Sequence, residues 1–192
     1  MPRASLKEQI VAAGLQTLHR KGFNGCSVQD ITEAAGVPKG SFYNHFASKD
    51  DLAIAALDRY WDCVESSFDI ITESGVAPLT RLGRYFRRLN DIARDNRYET
   101  GCFVGNMSAE LSGQSPVIRE RLAGLLRAWS QAIETCVREA QSDGSMRRDL
   151  DAGSVAAFLI NAWEGAMMRA KVDRSHTALA DFETIALATL SI

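Results

Sequence analysis

Two short stretches concentrate the residue types that do chemistry. In YETGCFVGNMSAEL, Tyr98–Leu111, Cys102 follows a glycine where a helical pattern begins. A helix N-terminus presents unpaired N–H groups and the positive end of the dipole, which favour thiolate, the nucleophilic form of cysteine. A small apolar residue also fills a gap where a helix starts, so two readings stand: a packed filler or a reactive thiol. The second stretch is SVQDITEAAGVPKGSFYNHFASKDDL, Ser27–Leu52. Lys39, Gly40, Ser41, Tyr43, Asn44 and His45 share a helix too short to persist unless packed, with Phe42 and Phe46 left to anchor it. Compact residues at the start of such a helix let its backbone approach bases in the major groove. Lys39 and Ser41 can donate to base edges or phosphates. Tyr43, His45, Lys49 and the Ser27 hydroxyl, with the N-terminus of the preceding helix, suit phosphate oxygens. Gln29, Pro38, Gly40 and Asn44 complete the candidate DNA-binding surface. Singly, Tyr43 or His45 can just as well cover the core; the cluster on one short helix points to DNA.

The elements that must position these residues are helices throughout. Leu6, Ile10, Val11, Leu15 and Leu18 share one face of a first helix, with Ser5 as N-cap and Gly22 as stop. Ser27 with Asp30 has the form of a capping box opening a short second helix that Gly36 ends. Pro38 suits the first turn of a third. Ser48 caps a fourth, expected to run to about Glu73 with Leu52, Ala56, Tyr60, Val64, Phe68 and Ile71 inward. Further helices are expected at 78–95, 103–111, 116–141, 152–171 and 178–190. In the helix over 152–171, Phe158, Ala162, Trp163, Ala166, Met167 and Ala170 are expected to face inward. No run alternates as a strand, and the fold class is all-α.

Composition narrows the function. Residues 1–50 carry six Lys/Arg against four Asp/Glu, and the remainder sixteen against twenty, a mildly basic head on an acidic body. Cys26, Cys63, Cys102 and Cys136 are too far apart for a zinc site or a disulfide framework, and neither a metal nor a cofactor is expected. Cys63 and Cys136 read as small core residues. No apolar run approaches the ~20 residues that span a bilayer, and MPRASLKEQI has no signal-peptide core, so no membrane partner and a cytoplasmic location are expected. A cysteine hydrolase would need a base and an orienting group beside Cys102. The histidines are His19, His45 and His176, with no acid or oxyanion motif beside them, and an enzyme is not expected.

The run from Val37 to Leu52 fits V-x-K-G-x-x-Y-x-H-F-x-S-K-x-x-L at every named position. In this it resembles the TetR family of transcriptional regulators. The resemblance implies a three-helix helix-turn-helix DNA-binding domain over 1–48. A larger helical domain over 49–192 would sense an effector and dimerise. It also implies a homodimeric repressor on a palindromic double-stranded DNA operator, released by a small-molecule effector. The helices over 152–171 and 178–190, with alanine faces at Ala156, Ala157, Ala162, Ala166 and Ala170, are the expected dimer surface. GCFVGNMSAEL and, downstream, GAMMRAKVDRS (Gly165–Ser175) are similar to segments of the electrophile- and oxidant-sensing N-ethylmaleimide reductase repressor subgroup. That likeness implies Cys102 as the reactive thiol and Lys171 as its partner, although a lysine in a last helical turn also simply offsets the dipole. The segment LSGQSP after SAE has no cysteine, so no local disulfide with Cys102 is expected. The alternative is a repressor that reversibly binds an apolar ligand in a pocket lined by Phe103, Trp129, Trp163 and Met167, residues whose helical spacing also suits a core.

Overall fold

The computed structural model describes residues 5–192. Among these the chain is helical and holds no strand. In chain order the helices are α1 (Leu6–Lys21), α2 (Val28–Ala34), α3 (Lys39–Tyr43), α4 (Lys49–Glu65), α5 (Pro78–Asp95), α6 (Phe103–Leu111), α7 (Pro116–Asp143), α8 (Ala152–Asp173) and α9 (Thr177–Leu190). The fourth helix is shorter than expected: beyond Glu65 the chain tightens into a 3-10 turn, Ser66–Ile70. Consecutive serines, whose hydroxyls compete for backbone groups, weaken an α-helix there.

The chain divides into two compact units. The first takes the chain up to Cys63 together with Phe103–Gly124; the second takes Val64–Cys102 and Leu125–Ile192. The division is discontinuous because α6 and the first part of α7 pack with the N-terminal helices, which local periodicity cannot reveal.

In the first unit, three helices open with reciprocal caps. Ser5 pairs with Glu8, Ser27 with Asp30, and Ser48 with Asp51, each hydroxyl accepting the N–H three residues on while that residue's carboxylate accepts the cap N–H. Two orphan donors are satisfied per helix start. Ile10, Leu18, Ile31, Phe42, Leu52 and Leu57 are fully buried. Each such side chain stabilises by about 1.5–3 kcal/mol relative to exposure. The five-residue α3 depends on this: Phe42 stacks near Phe46 at 5.5 Å and holds α3 to the core. Phe103, at the start of α6, packs its ring 5.2 Å from His19 and 5.6 Å from Tyr60. Ser115 Oγ donates to Asp50 (2.8 Å) and Arg121 Nε to Asp58 (2.6 Å), tying α7 to α4.

The second unit has an apolar core threaded with paired polar groups. Trp129, Tyr85, Phe86, Leu82 and Ile71 are buried. Trp129 Nε1 donates to the Tyr85 hydroxyl (2.7 Å), and Trp163 Nε1 donates to Asn90 Oδ1 (2.8 Å). Arg81 is buried, donates to the Ile71 carbonyl (2.6 Å) and pairs with Glu139. These pairings offset the cost of burying polar groups, with Arg81 Nε left without a partner.

Candidate functional site

Along and just beyond α2 and α3, most of the candidate DNA-binding residues are exposed. Gln29, Pro38, Lys39, Gly40, Asn44 and His45 are exposed, Ser41 is half-buried, and Tyr43 is 58% exposed with its ring edge against Phe42. A Cβ built on Gly40 would meet nothing within 4 Å, so the α3 backbone lies open on that side. Ser27 is exposed, but its hydroxyl caps α2. Gln29 Nε2 donates to Glu33 (2.9 Å). Asp30 is held well below the usual carboxylate range by its hydrogen bond from Lys21 and then by those from Ser27. Pro38 is the N-cap residue of α3, with φ −60°, and offers no side-chain cap.

Lys49 behaves differently from the expected phosphate contact. Its Nζ donates to the carbonyls of Phe23 and Cys26, both at 2.9 Å, and lies 4.0 Å over the Phe23 ring. Two of its three donors are committed to the turn between α1 and α2. A pattern of charge along a sequence does not show which lysine is turned inward.

Cys102 directly precedes α6, as the sequence reading expects, but it is buried, 3% exposed. A tight connection carries the chain to it. Arg97 and Tyr98 have φ +52° and +57°, and Gly101 has φ +72°, a left-handed conformation that favours glycine. Thr100 is buried and accepts from Asn96 Nδ2 (2.6 Å). The thiol hydrogen-bonds Glu164 of α8. Burial pushes the Glu164 carboxyl up, and the S–H bond from Cys102 offsets part of this. Glu164 Oε1 is buried with no hydrogen-bond partner. Lys171, half-buried, lies in the last turn of α8, about 10 Å further along the helix axis than Glu164 at 1.5 Å per residue. The acid Glu164 thus meets the thiol. The sequence offers one signal for Glu164: it is the only charged residue between Ala152 and Met168, an apolar helical run.

All four cysteines are thiols. Cys136 is buried as expected, but Cys63 is exposed, contrary to the core role read from its helical register. Four residues were expected to line a pocket. Trp129 and Trp163 meet edge-on at 5.6 Å and Met167 is buried in the second unit, whereas Phe103 is core of the first. The expected alanine surface is also revised. Ala156 and Ala170 are buried within the chain, whereas Phe158 (54% exposed), Met168, Val172 and Ile185 project outward from α8 and α9. Phe158 was expected inward; its position one residue before buried Leu159 and Ile160 turns it to the opposite face.

Comparisons with known proteins converge on this architecture. Residues 10–56 match the bacterial regulatory proteins of the tetR family, and residues 78–186 match the tetracyclin repressor-like C-terminal domain. The chain is 36% identical to the HTH-type transcriptional repressor DhaR of Mycobacterium sp. (strain GP1), over 99% of this chain and 94% of that one. It is 29% identical to the HTH-type transcriptional repressor NemR of Escherichia coli (strain K12), over 90% and 87%. A crystal structure of the regulatory protein TetR from Rhodobacter sphaeroides superposes with a TM-score of 0.90 at 31% identity, covering 95% of this chain and 97% of that one. With an exposed recognition helix, a helical second unit and these matches across nearly its whole length, the chain belongs to the TetR family of transcriptional regulators: it is a repressor of the TetR type, relieved by an effector, and not an enzyme.

Proposed function

We propose that this repressor dimerises on a pseudo-palindromic operator and is released by a thiol-reactive electrophile that modifies Cys102. The observation that carries the reading is the hydrogen bond between the buried Cys102 thiol and Glu164, a half-buried residue whose Oε1 is buried without a partner. The similarity to NemR supports it. With an α,β-unsaturated carbonyl compound the step balances without an oxidant. The sulfur lone pair forms a C–S bond to the β-carbon, and the C=C π pair moves to the α-carbon. The thiol proton passes to the Glu164 carboxylate and from there to the α-carbon. The adduct occupies space in a close-packed core, and the next residue begins α6, so accommodating it displaces that helix.

On the DNA side, Lys39, Ser41, Tyr43, Asn44 and His45 with the open backbone at Gly40 form the reading surface. Ser27, Gln29 and Pro38 position the helix starts. Lys49 and Lys171 take supporting roles, the first through the α1–α2 turn and the second as a cation at the end of α8. Dimerisation uses the outward apolar side chains of α8 and α9, of which Phe158, Met168, Val172 and Ile185 are exposed. Sedimentation at micromolar concentration showing monomer alone would contradict that arrangement.

The test is binding to a duplex from upstream of the gene, before and after N-ethylmaleimide. Cys63→Ser, which removes the exposed thiol, should retain release, whereas Cys102→Ser should bind DNA normally and resist it. Release of Cys102→Ser by the reagent would transfer the effector role to reversible binding among Trp129, Trp163 and Met167.

A further inference from the structure

We propose that Glu110 is the positioning residue through which α6 sets the DNA-reading helices. Its carboxylate accepts the backbone N–H of Phe23 at 2.8 Å and of Asn24 at 2.6 Å, one oxygen to each. These amides lie in the turn that joins α1 to α2. The same turn is also held by Lys49, which donates to the carbonyls of Phe23 and Cys26. A loop of this kind normally satisfies its own backbone groups or leaves them to water. Here a carboxylate from α6 and an ammonium from α4 take both polarities, and charge-assisted bonds to a fixed backbone are short and directional.

The turn is shaped around that carboxylate. Gly22 has φ +77°, and a Cβ there would lie 3.1 Å from Glu110 Oε2, so glycine supplies both the conformation and the room. Ser27, the N-cap of α2, follows Asn24 by three residues, and Phe42 anchors the recognition helix in the same core. A shift of α6 moves the carboxylate and, with it, the start of α2. Asn24 Nδ2 also reaches Gln114, beyond the helix, at 3.5 Å. The inference holds for any effector that acts on α6 and does not depend on Cys102.

The experiment uses the full chain and its Glu110→Gln and Glu110→Asp variants. Three quantities are read: hydrogen exchange of the 22–27 backbone, affinity for the upstream duplex, and affinity for a scrambled duplex. Replacing one acceptor by an amide donor should raise exchange at Phe23 and Asn24 about tenfold. It should weaken the upstream duplex about tenfold while leaving the scrambled one unchanged, because the charge on α3 remains. Glu110→Asp, with a shorter reach, should fall between wild type and Glu110→Gln, and it carries the test if the amide variant fails to fold. Wild-type discrimination despite faster exchange would overturn the proposal. So would an equal loss for both duplexes, the mark of a general stabiliser.

Discussion

The recognition region and the thiol region treat polar groups in opposite ways. Along α3 the polar side chains point outward and the aromatic anchor Phe42 is buried; the site is a surface presented by a core. Around Cys102 the polar groups turn inward, with the buried thiol hydrogen-bonded to the half-buried Glu164 in the second unit. The first arrangement suits a ligand as large as a DNA duplex, read from outside. The second suits a small molecule that must enter, and its polar groups matter more because little water competes with them.

The largest test of this contrast is Phe42→Ala. Truncating a fully buried aromatic typically costs about 3–5 kcal/mol. Because α3 has five residues and little stability of its own, the loss should appear as a lower denaturation midpoint together with lost operator binding. A variant that keeps both would mean that α3 is not anchored by its core face.

A smaller effect separates two kinds of lysine. Lys39→Ala should leave stability within about 0.5 kcal/mol, as for a surface substitution. It should reduce the salt slope of DNA binding by about one unit per subunit. Lys49→Ala should do the reverse, lowering thermal stability because two backbone carbonyls lose their donor while the salt slope barely changes. Denaturation and binding at several salt concentrations would decide between them. Ser27→Ala, which removes the α2 cap, should cost about 1 kcal/mol in the same melts.

The smallest expected effect is a pH slope. Burial raises the folded-state affinity of Glu164 for its proton above the unfolded value of about 4.3. The stability this acid contributes is therefore fully present below that pH and is lost as pH rises through the folded-state value. Glu164→Gln should flatten that part of the stability profile and gain on wild type at neutral pH. An unchanged profile would place the carboxyl in contact with water.

These regions were unequally legible in the sequence. The recognition helix could be read because its signature is local: turn glycines, a proline at a helix start, capping boxes, and polar residues flanking two phenylalanines. Most helix limits followed from periodicity and caps for the same reason. The fourth helix was overextended because apolar spacing continued through Ser66–Ile70 while the backbone changed type. Cys102 was placed correctly at a helix start, but its burial and its acidic neighbour come from α8, sixty-two residues away in the chain. Cys63 and Phe158 failed in the same manner. Each lies on a helix whose pattern gives its faces but not what covers them.

The central claim is that chemistry at the interior thiol, not at the exposed one, releases DNA. Its most direct measurement is a time course in which fluorescence anisotropy of bound operator DNA and peptide mass mapping of Cys63 and Cys102 are followed in one N-ethylmaleimide reaction. The account predicts that Cys63 is alkylated first with DNA still bound, and that anisotropy then falls in step with the Cys102 adduct. Complete release while Cys102 remains unmodified would contradict it.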